Sequence, residues 1–172
     1  MSILEIIQFP HPLLKTKTLP VEGVNAAVER LVRDMIETMY HAPGSGLAAN
    51  QVGVGKQIMV ADVSKAEEEP NTIVIVNPQI VSVSEETIIA NEGCLSVPDF
   101  NAELSRPAQV TVVGKNLAGE EVEIEADGWL ARVIQHEIDH LNGILYIDRL
   151  GRLKRQGYIR KRKKALASGE KK

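Results

Sequence analysis

The sequence predicts an α+β protein: mainly antiparallel β-sheets around a central HExxH helix, with an N-terminal helix before them and a C-terminal helical basic tail after them. Three observations lead there. Between residues 57 and 125 the chain breaks into short Val- and Ile-rich segments, too closely spaced for crossover helices, which favours antiparallel pairing over a doubly wound sheet. Apolar residues recur with a helical period on either side, at 25–40 and 129–141. Charge also divides the chain. Residues 1–148 carry 9 Lys+Arg against 22 Asp+Glu, a net −13, and residues 149–172 carry 11 against 1, a net +10, together the chain's −3.

The first helix is read from Val28, Leu31, Val32, Met35, Ile36 and Met39, one face of a 3.6-residue repeat, with Asn25 as N-cap and Pro43-Gly44 as terminator. A glycine-rich stretch, Gly44 to Gln51, follows. Strands are expected at Gln57–Asp62, Thr72–Val76, Gln79–Val83, Thr87–Ala90, Gln109–Gly114 and Glu121–Glu125, with a surface loop at 64–71 and a hairpin turn at Asn116–Gly119. The second helix enters at Asp127 or Gly128 and ends before Gly143. These elements make one domain, residues 1–148, with a basic extension at 149–172.

The 172 residues are 44% hydrophobic but 3% aromatic, so the core is expected to be aliphatic. No run of apolar residues is long enough to span a membrane, and the start, MSILEIIQFPHP, reads as neither a signal nor a transit peptide. A single cysteine, Cys94, permits no intrachain disulfide and suits a reducing cytoplasm. A cytoplasmic monomer is expected.

His136-Glu137-Ile138-Asp139-His140 is an HExxH motif. Positions i and i+4 share a helix face, so both imidazoles can reach one metal ion while the intervening Glu projects beside it. At 100° per residue Trp129, Val133, His136 and His140 form one stripe, and Leu130, Ile134, Ile138 and Leu141 a second, apolar one. The second stripe is expected in the core and the first at the metal, with Trp129 and Val133 lining an apolar pocket. Arg132 and Asp139 share a third face, either an ion pair or a solvated surface.

A catalytic site of this kind needs three protein ligands and an open position. The pattern HExxHxxGxxH fails at its last position, where Tyr146 stands, and after His140 the acids Asp148 and Glu170 lie in no suitable helix. Cys94, in Glu92-Gly93-Cys94-Leu95-Ser96, remains, and a thiolate suits zinc or ferrous iron. His11 and His41 read as bystanders in a loop and at a helix end.

Three stretches, taken together, resemble the peptide deformylase family. Residues 44–51 are similar to its GxGLAAxQ, residues 92–96 to EGCLS and residues 135–141 to QHExDHL, in the family's order and over roughly residues 1–150. The resemblance implies removal of the formyl group from N-terminal formyl-methionine of nascent polypeptides, releasing formate. It implies Cys94, His136 and His140 as metal ligands, a metal-bound water as nucleophile and Glu137 as general acid and base. It places Gln51 and the backbone N–H of Leu95 at the oxyanion, and pairs Glu92 with Arg106 beside the site. Gly44 and Gly46 are expected to let a peptide backbone lie close, and Ala90, Trp129 and Val133 to hold the methionine side chain. Trp129 is bulkier than the Leu common at its place in the family, which bears on the pocket's shape, and Asn50 replaces a common Thr or Pro. By resemblance Fe(II) is the favoured metal, with Zn, Ni or Co as substitutes.

In the tail, Lys154, Arg155, Arg160, Lys161, Arg162, Lys163 and Lys164 are candidates for contact with ribosomal RNA phosphates, the other reading being a solvated tail. Two further readings of the whole chain are an HExxH metallopeptidase and a non-enzymatic ribosome-associated metal protein. The missing third histidine weakens the first. The count of three ligands plus an acid–base Glu weakens the second, since structural sites usually close with four.

Overall fold

The computed structural model describes residues 2–65 and 68–169. Its elements follow the α+β expectation. Helix α1 (Ala26–His41) begins where the Asn25 side chain accepts hydrogen bonds from the N–H groups of Ala27 and Val28, two of the donors a helix start leaves unpaired. Strands β1 (Gly46–Ala48), β2 (Ile58–Ala61), β3 (Ile73–Val83), β6 (Gln109–Lys115) and β7 (Glu121–Asp127) form an antiparallel sheet in the order β1-β2-β3-β6-β7. A separate hairpin pairs β4 (Thr87–Cys94) with β5 (Val97–Pro107). Helix α2 (Gly128–Leu141) and helix α3 (Arg152–Ala167) complete the chain.

Strand alternation positions the helices. Met59 and Ala61 of β2 face the cluster that holds Ile134, Ile138 and Leu141 of α2, while Ile58 and Val60 face Val32, Met35 and Met39 of α1. Both faces of β2 are thus covered, and all four of its residues are buried. The apolar stripe of α2 therefore packs on the sheet, which turns its other face toward the hairpin.

Four elements differ from the sequence expectation, the first being β1, which lies within the glycine-rich stretch where no strand is expected. Thr72–Val76 and Gln79–Val83 belong to one strand, β3, irregular at Asn77-Pro78 where the register shifts. Asn77 sits there at φ 54°, and its amide exchanges two hydrogen bonds with the backbone of Val21. The expected strand at Thr87–Ala90 runs on to Cys94, and its partner β5 is absent from the sequence reading. The inward positions of β5 are Ala102, Leu104 and Arg106, and an inward arginine hides the alternation. Of the loop expected at 64–71, residues 66 and 67 lie outside the described residues, as do 170–172 of the tail.

Helix α3 is seated, not free. Tyr158 is buried with its ring 4.9 Å from that of Phe100 and 6.1 Å from that of Phe9. Arg162 is buried too, donating from Nε to the carbonyl of Phe9 at 3.0 Å and from Nη2 to Gln8 Oε1 at 2.7 Å. Arg162 is accordingly a docking residue for the helix and not one of its outward cations. Lys154, Arg155, Arg160, Lys161, Lys163 and Lys164 are exposed.

Candidate metal centre

The HExxH face of α2 meets the end of β4. Cys94 Sγ lies 3.1 Å from His140 Nε2, and His140 Nε2 lies 3.2 Å from His136 Nε2. Tetrahedral bonds of about 2.0–2.1 Å to nitrogen and about 2.3 Å to sulfur would put neighbouring ligand atoms roughly 3.3–3.6 Å apart. One thiol and two imidazoles at the observed separations therefore fit a single divalent metal of the zinc or ferrous type. Burial, then the charges of His136 and Arg106, pushes His140 well below the usual imidazole range, which keeps its lone pair available. At His136 burial also opposes the proton, but Cys94 and Glu92 outweigh it and push it well above the usual imidazole range.

Glu92 organises the surroundings. Its carboxylate, 3% exposed, takes Arg106 Nε at 2.6 Å on Oε1 and Arg106 Nη2 at 3.0 Å on Oε2. Arg132 Nη1 adds 2.6 Å on Oε1, and His136 Nδ1 lies 3.0 Å from Oε2. Burial opposes its charge, but the bonds from His136 and Arg106 prevail and hold it at about 2. A carboxylate accepts, so His136 carries its proton on Nδ1 and presents Nε2 to the metal site. Arg106 continues to Asp139 Oδ2 at 2.9 Å, and Arg149 grips the same carboxylate from the other side.

Arg132 and Asp139 therefore form neither an ion pair with each other nor a solvated face. Both are buried, and each meets a different partner. Arg132 also donates to the carbonyls of Leu104 and Ile88, joining α2 to both strands of the hairpin. Its lone charge beside two apolar stripes carries no signal of this in the sequence. Asn50 is a second such residue: fully buried, it donates to the carbonyl of His140 at 2.6 Å.

Glu137 is 4% exposed, and its Oε2 has no hydrogen-bond partner among the described residues. Burial raises its pKa to about 7 against the opposing charges of His136 and Arg106, within the range that suits an acid–base group at neutral pH. Gln51 is oriented by the backbone. The N–H of Ala48 can only donate, so it takes Oε1 at 2.8 Å, and Nε2 is left to face Ser96 Oγ at 3.2 Å and Cys94 Sγ at 3.6 Å. Leu95 occupies the tight turn between β4 and β5.

A cavity of about 330 Å³ opens over these groups, lined among others by Gly44, Gly46, Gln51, Cys94, Leu95, Trp129, Val133 and Glu137. Ala90 is not in its lining but borders a smaller space past Trp129. The glycines have structural reasons of their own. A Cβ on Gly46 would lie 2.5 Å from Glu137 Oε1 and 2.7 Å from Val133 Cγ1, and one on Gly44 would lie 2.9 Å from Leu95 Cδ1. At Gly93 the space of a Cβ is taken by the side chain of Asn101. His11 caps a short turn and His41 closes α1, so neither joins the cluster.

Residues 3–156 match the family model for polypeptide deformylase. The chain is 50% identical over 165 residues to a peptide deformylase of Rhizobium meliloti, covering 96% of this chain and 95% of that one. Its fold is similar to the crystal structure of peptide deformylase from Ehrlichia chaffeensis, with a TM-score of 0.91, 40% identity and coverage of 98% of this chain and 99% of the other. It is also similar to a class I type b peptide deformylase from Acinetobacter baumannii with Met-Ala-Ser bound, at a TM-score of 0.83 and 36% identity over 87% of this chain and all of that one.

Two outcomes follow from this geometry. Gly46→Ala should displace the Glu137 carboxylate and lower kcat about a hundredfold, the usual cost of a misplacement near 1 Å. Metal content, measured by elemental analysis, should not change; an unaltered kcat would show that Glu137 tolerates the intrusion. Glu92→Gln leaves Arg132 buried without its anion and Arg106 with Asp139 alone, and should destabilise the fold by about 3–5 kcal/mol in urea unfolding of the metal-free protein.

Proposed function

The chain belongs to the polypeptide deformylase family, enzymes that remove the N-formyl group from nascent peptides, and from that premise we propose how its own residues do so. Substrate formyl-methionyl peptide lies in the cavity with its main chain along Gly44, Ser45 and Gly46, where the chain enters the edge strand β1. The Met-Ala-Ser held by the Acinetobacter relative supports a peptide of this kind as the occupant. Its first side chain packs against Trp129 and Val133.

The family is metal-dependent, and Cys94, His136 and His140 would hold the ion, Fe(II) being favoured and Zn, Ni or Co serving as substitutes. When bound it supplies Lewis acidity, which polarises the formyl carbonyl and makes water a nucleophile near neutral pH. Glu137 takes the proton from that water and later delivers it to the departing amine, so one carboxyl with a pKa of about 7 serves both directions. The formyl oxygen becomes negative as its carbon becomes tetrahedral, and Gln51 Nε2 and the Leu95 N–H are the donors that meet it. Formate and a free α-amine leave. The observation that carries this reading is the unpartnered oxygen of Glu137, which lines the same cavity as Cys94 and His136, two of the three residues whose ligand atoms converge.

The exposed cations of α3, Lys154, Arg155, Arg160, Lys161, Lys163 and Lys164, bring the enzyme to its substrate in the cytoplasm by contacting phosphates of ribosomal RNA. Arg162 anchors the helix behind them.

Glu137→Ala is expected to lower formate release from formyl-Met-Ala by about 10²–10⁴-fold under anaerobic conditions with defined metal, while the metal stays bound. Retained turnover would refute the acid–base assignment. Ribosome affinity should drop roughly a thousandfold between about 50 and 200 mM salt, and should be lost on deletion of residues 153–172. Cosedimentation insensitive to both would dismiss the RNA contact.

A further inference from the structure

The substrate cavity is bounded on one side by a partition with space beyond it. A second cavity of about 160 Å³ lies there, lined by Ile88, Ala90, Pro107, Ala108 and Gly128. Trp129 and Arg132 are the two side chains common to both linings. Arg132 is fixed: it is 5% exposed and donates to Glu92 and to the carbonyls of Ile88 and Leu104. Trp129 is not. It is 50% exposed, stands in the first turn of α2, and its indole has no hydrogen bond among the described residues.

Resting on the deformylase reading, we infer that Trp129 determines how long an N-terminal side chain the enzyme accepts. Its indole ends the methionine pocket and stands between it and the second cavity, a preformed and mainly apolar recess that is partly open to solvent at Ile88 and Gly128. The walls of that chamber, Ile88, Ala90, Pro107 and Ala108, offer methyl and methylene groups and match an unbranched hydrocarbon chain longer than that of methionine. Ala90, a small side chain, is part of the lining of that second cavity and not of the first. Loss of the indole joins the two spaces, so the favoured substrate class shifts to formyl-peptides that begin with a long linear alkyl residue.

The test compares kcat/KM for formyl-Met-Ala with that for formyl-2-aminooctanoyl-Ala, by formate release from metal-loaded enzyme. In Trp129→Ala the ratio of the long substrate to the methionine one should rise at least about tenfold, the order of discrimination that extra methylenes confer in an apolar pocket. Trp129→Leu should raise it by less. Adding Ala90→Leu to Trp129→Ala refills the chamber and should return the ratio toward that of the unmodified enzyme, an effect that general loosening of the fold would not produce. A ratio unchanged in both Trp129 variants, with formyl-Met-Ala still turned over, would overturn this inference alone. Failure of the unmodified, metal-loaded protein to release formate from formyl-Met-Ala would overturn the deformylase reading and this inference with it.

Discussion

A single buried carboxylate, that of Glu92, ties the helix that carries His136 and His140 to the hairpin that carries Cys94. Two arginines and a histidine from different segments converge on its two oxygens. An isolated charge at 3% exposure is prohibitive, and here each one is admitted because the others are present. The arrangement also has direction. Arg106 is opposite Ile88 in the β4–β5 register, while Arg132 and His136 lie one turn apart on α2, so the cluster fixes helix to hairpin in rotation as well as distance. With Nδ1 of His136 committed to Glu92, its Nε2 is aimed where Cys94 and His140 already point.

The network extends past the site. Asp139 receives Arg106 on one side and Arg149 on the other, and Arg149 is the last residue before the linker into α3. Asn50 joins the glycine-rich segment to the backbone of His140, and Gln51 next to it turns its amide toward the sulfur. The geometry of the site thus rests in part on Arg106, Asp139, Arg149 and Asn50, none of which lines the cavity. Gly46 supports it from within the cavity: β1 approaches α2 so closely that a methyl group there would collide with the Glu137 carboxylate. At this glycine the neighbour that comes close is the helix, through Glu137 and Val133.

Helices α1 and α2 are legible in the sequence because each obeys one period, and the motifs that hold Cys94, His136 and His140 single out three residues that the fold brings together. The stripe of α1 and both stripes of α2 lie where a 100° projection puts them, and Asn25 caps as its side chain dictates. Strand β5 is not legible, because its inward row is Ala102, Leu104 and Arg106, and an arginine breaks the apolar code unless its anion is already known. Arg132 is hidden for the same reason. A charge on a helix beside two apolar stripes looks solvated until Glu92, forty positions earlier, is placed opposite it. Pairwise burial of charge is a tertiary property with no local signature, whereas aliphatic packing writes its period into the chain.

The tail repeats this lesson with a different outcome. Its charge gives a composition, and the fold turns that composition into a surface. Two residues, Tyr158 and Arg162, are one turn apart and face the body, Tyr158 against Phe9 and Phe100 and Arg162 on the backbone beside Phe9. That spacing presents the intervening cations outward. Phe9 is itself tied to the loop that holds the sulfur, since its N–H donates to the carbonyl of Ser96. Helix α3 therefore sits on the segment that backs Cys94, and a large anion held on its outer face would lie on the same rigid body as the metal site. A polyanion there need not alter the chemistry to be useful, because holding the cavity near emerging N-termini raises the local substrate concentration without any new contact at the reacting carbon.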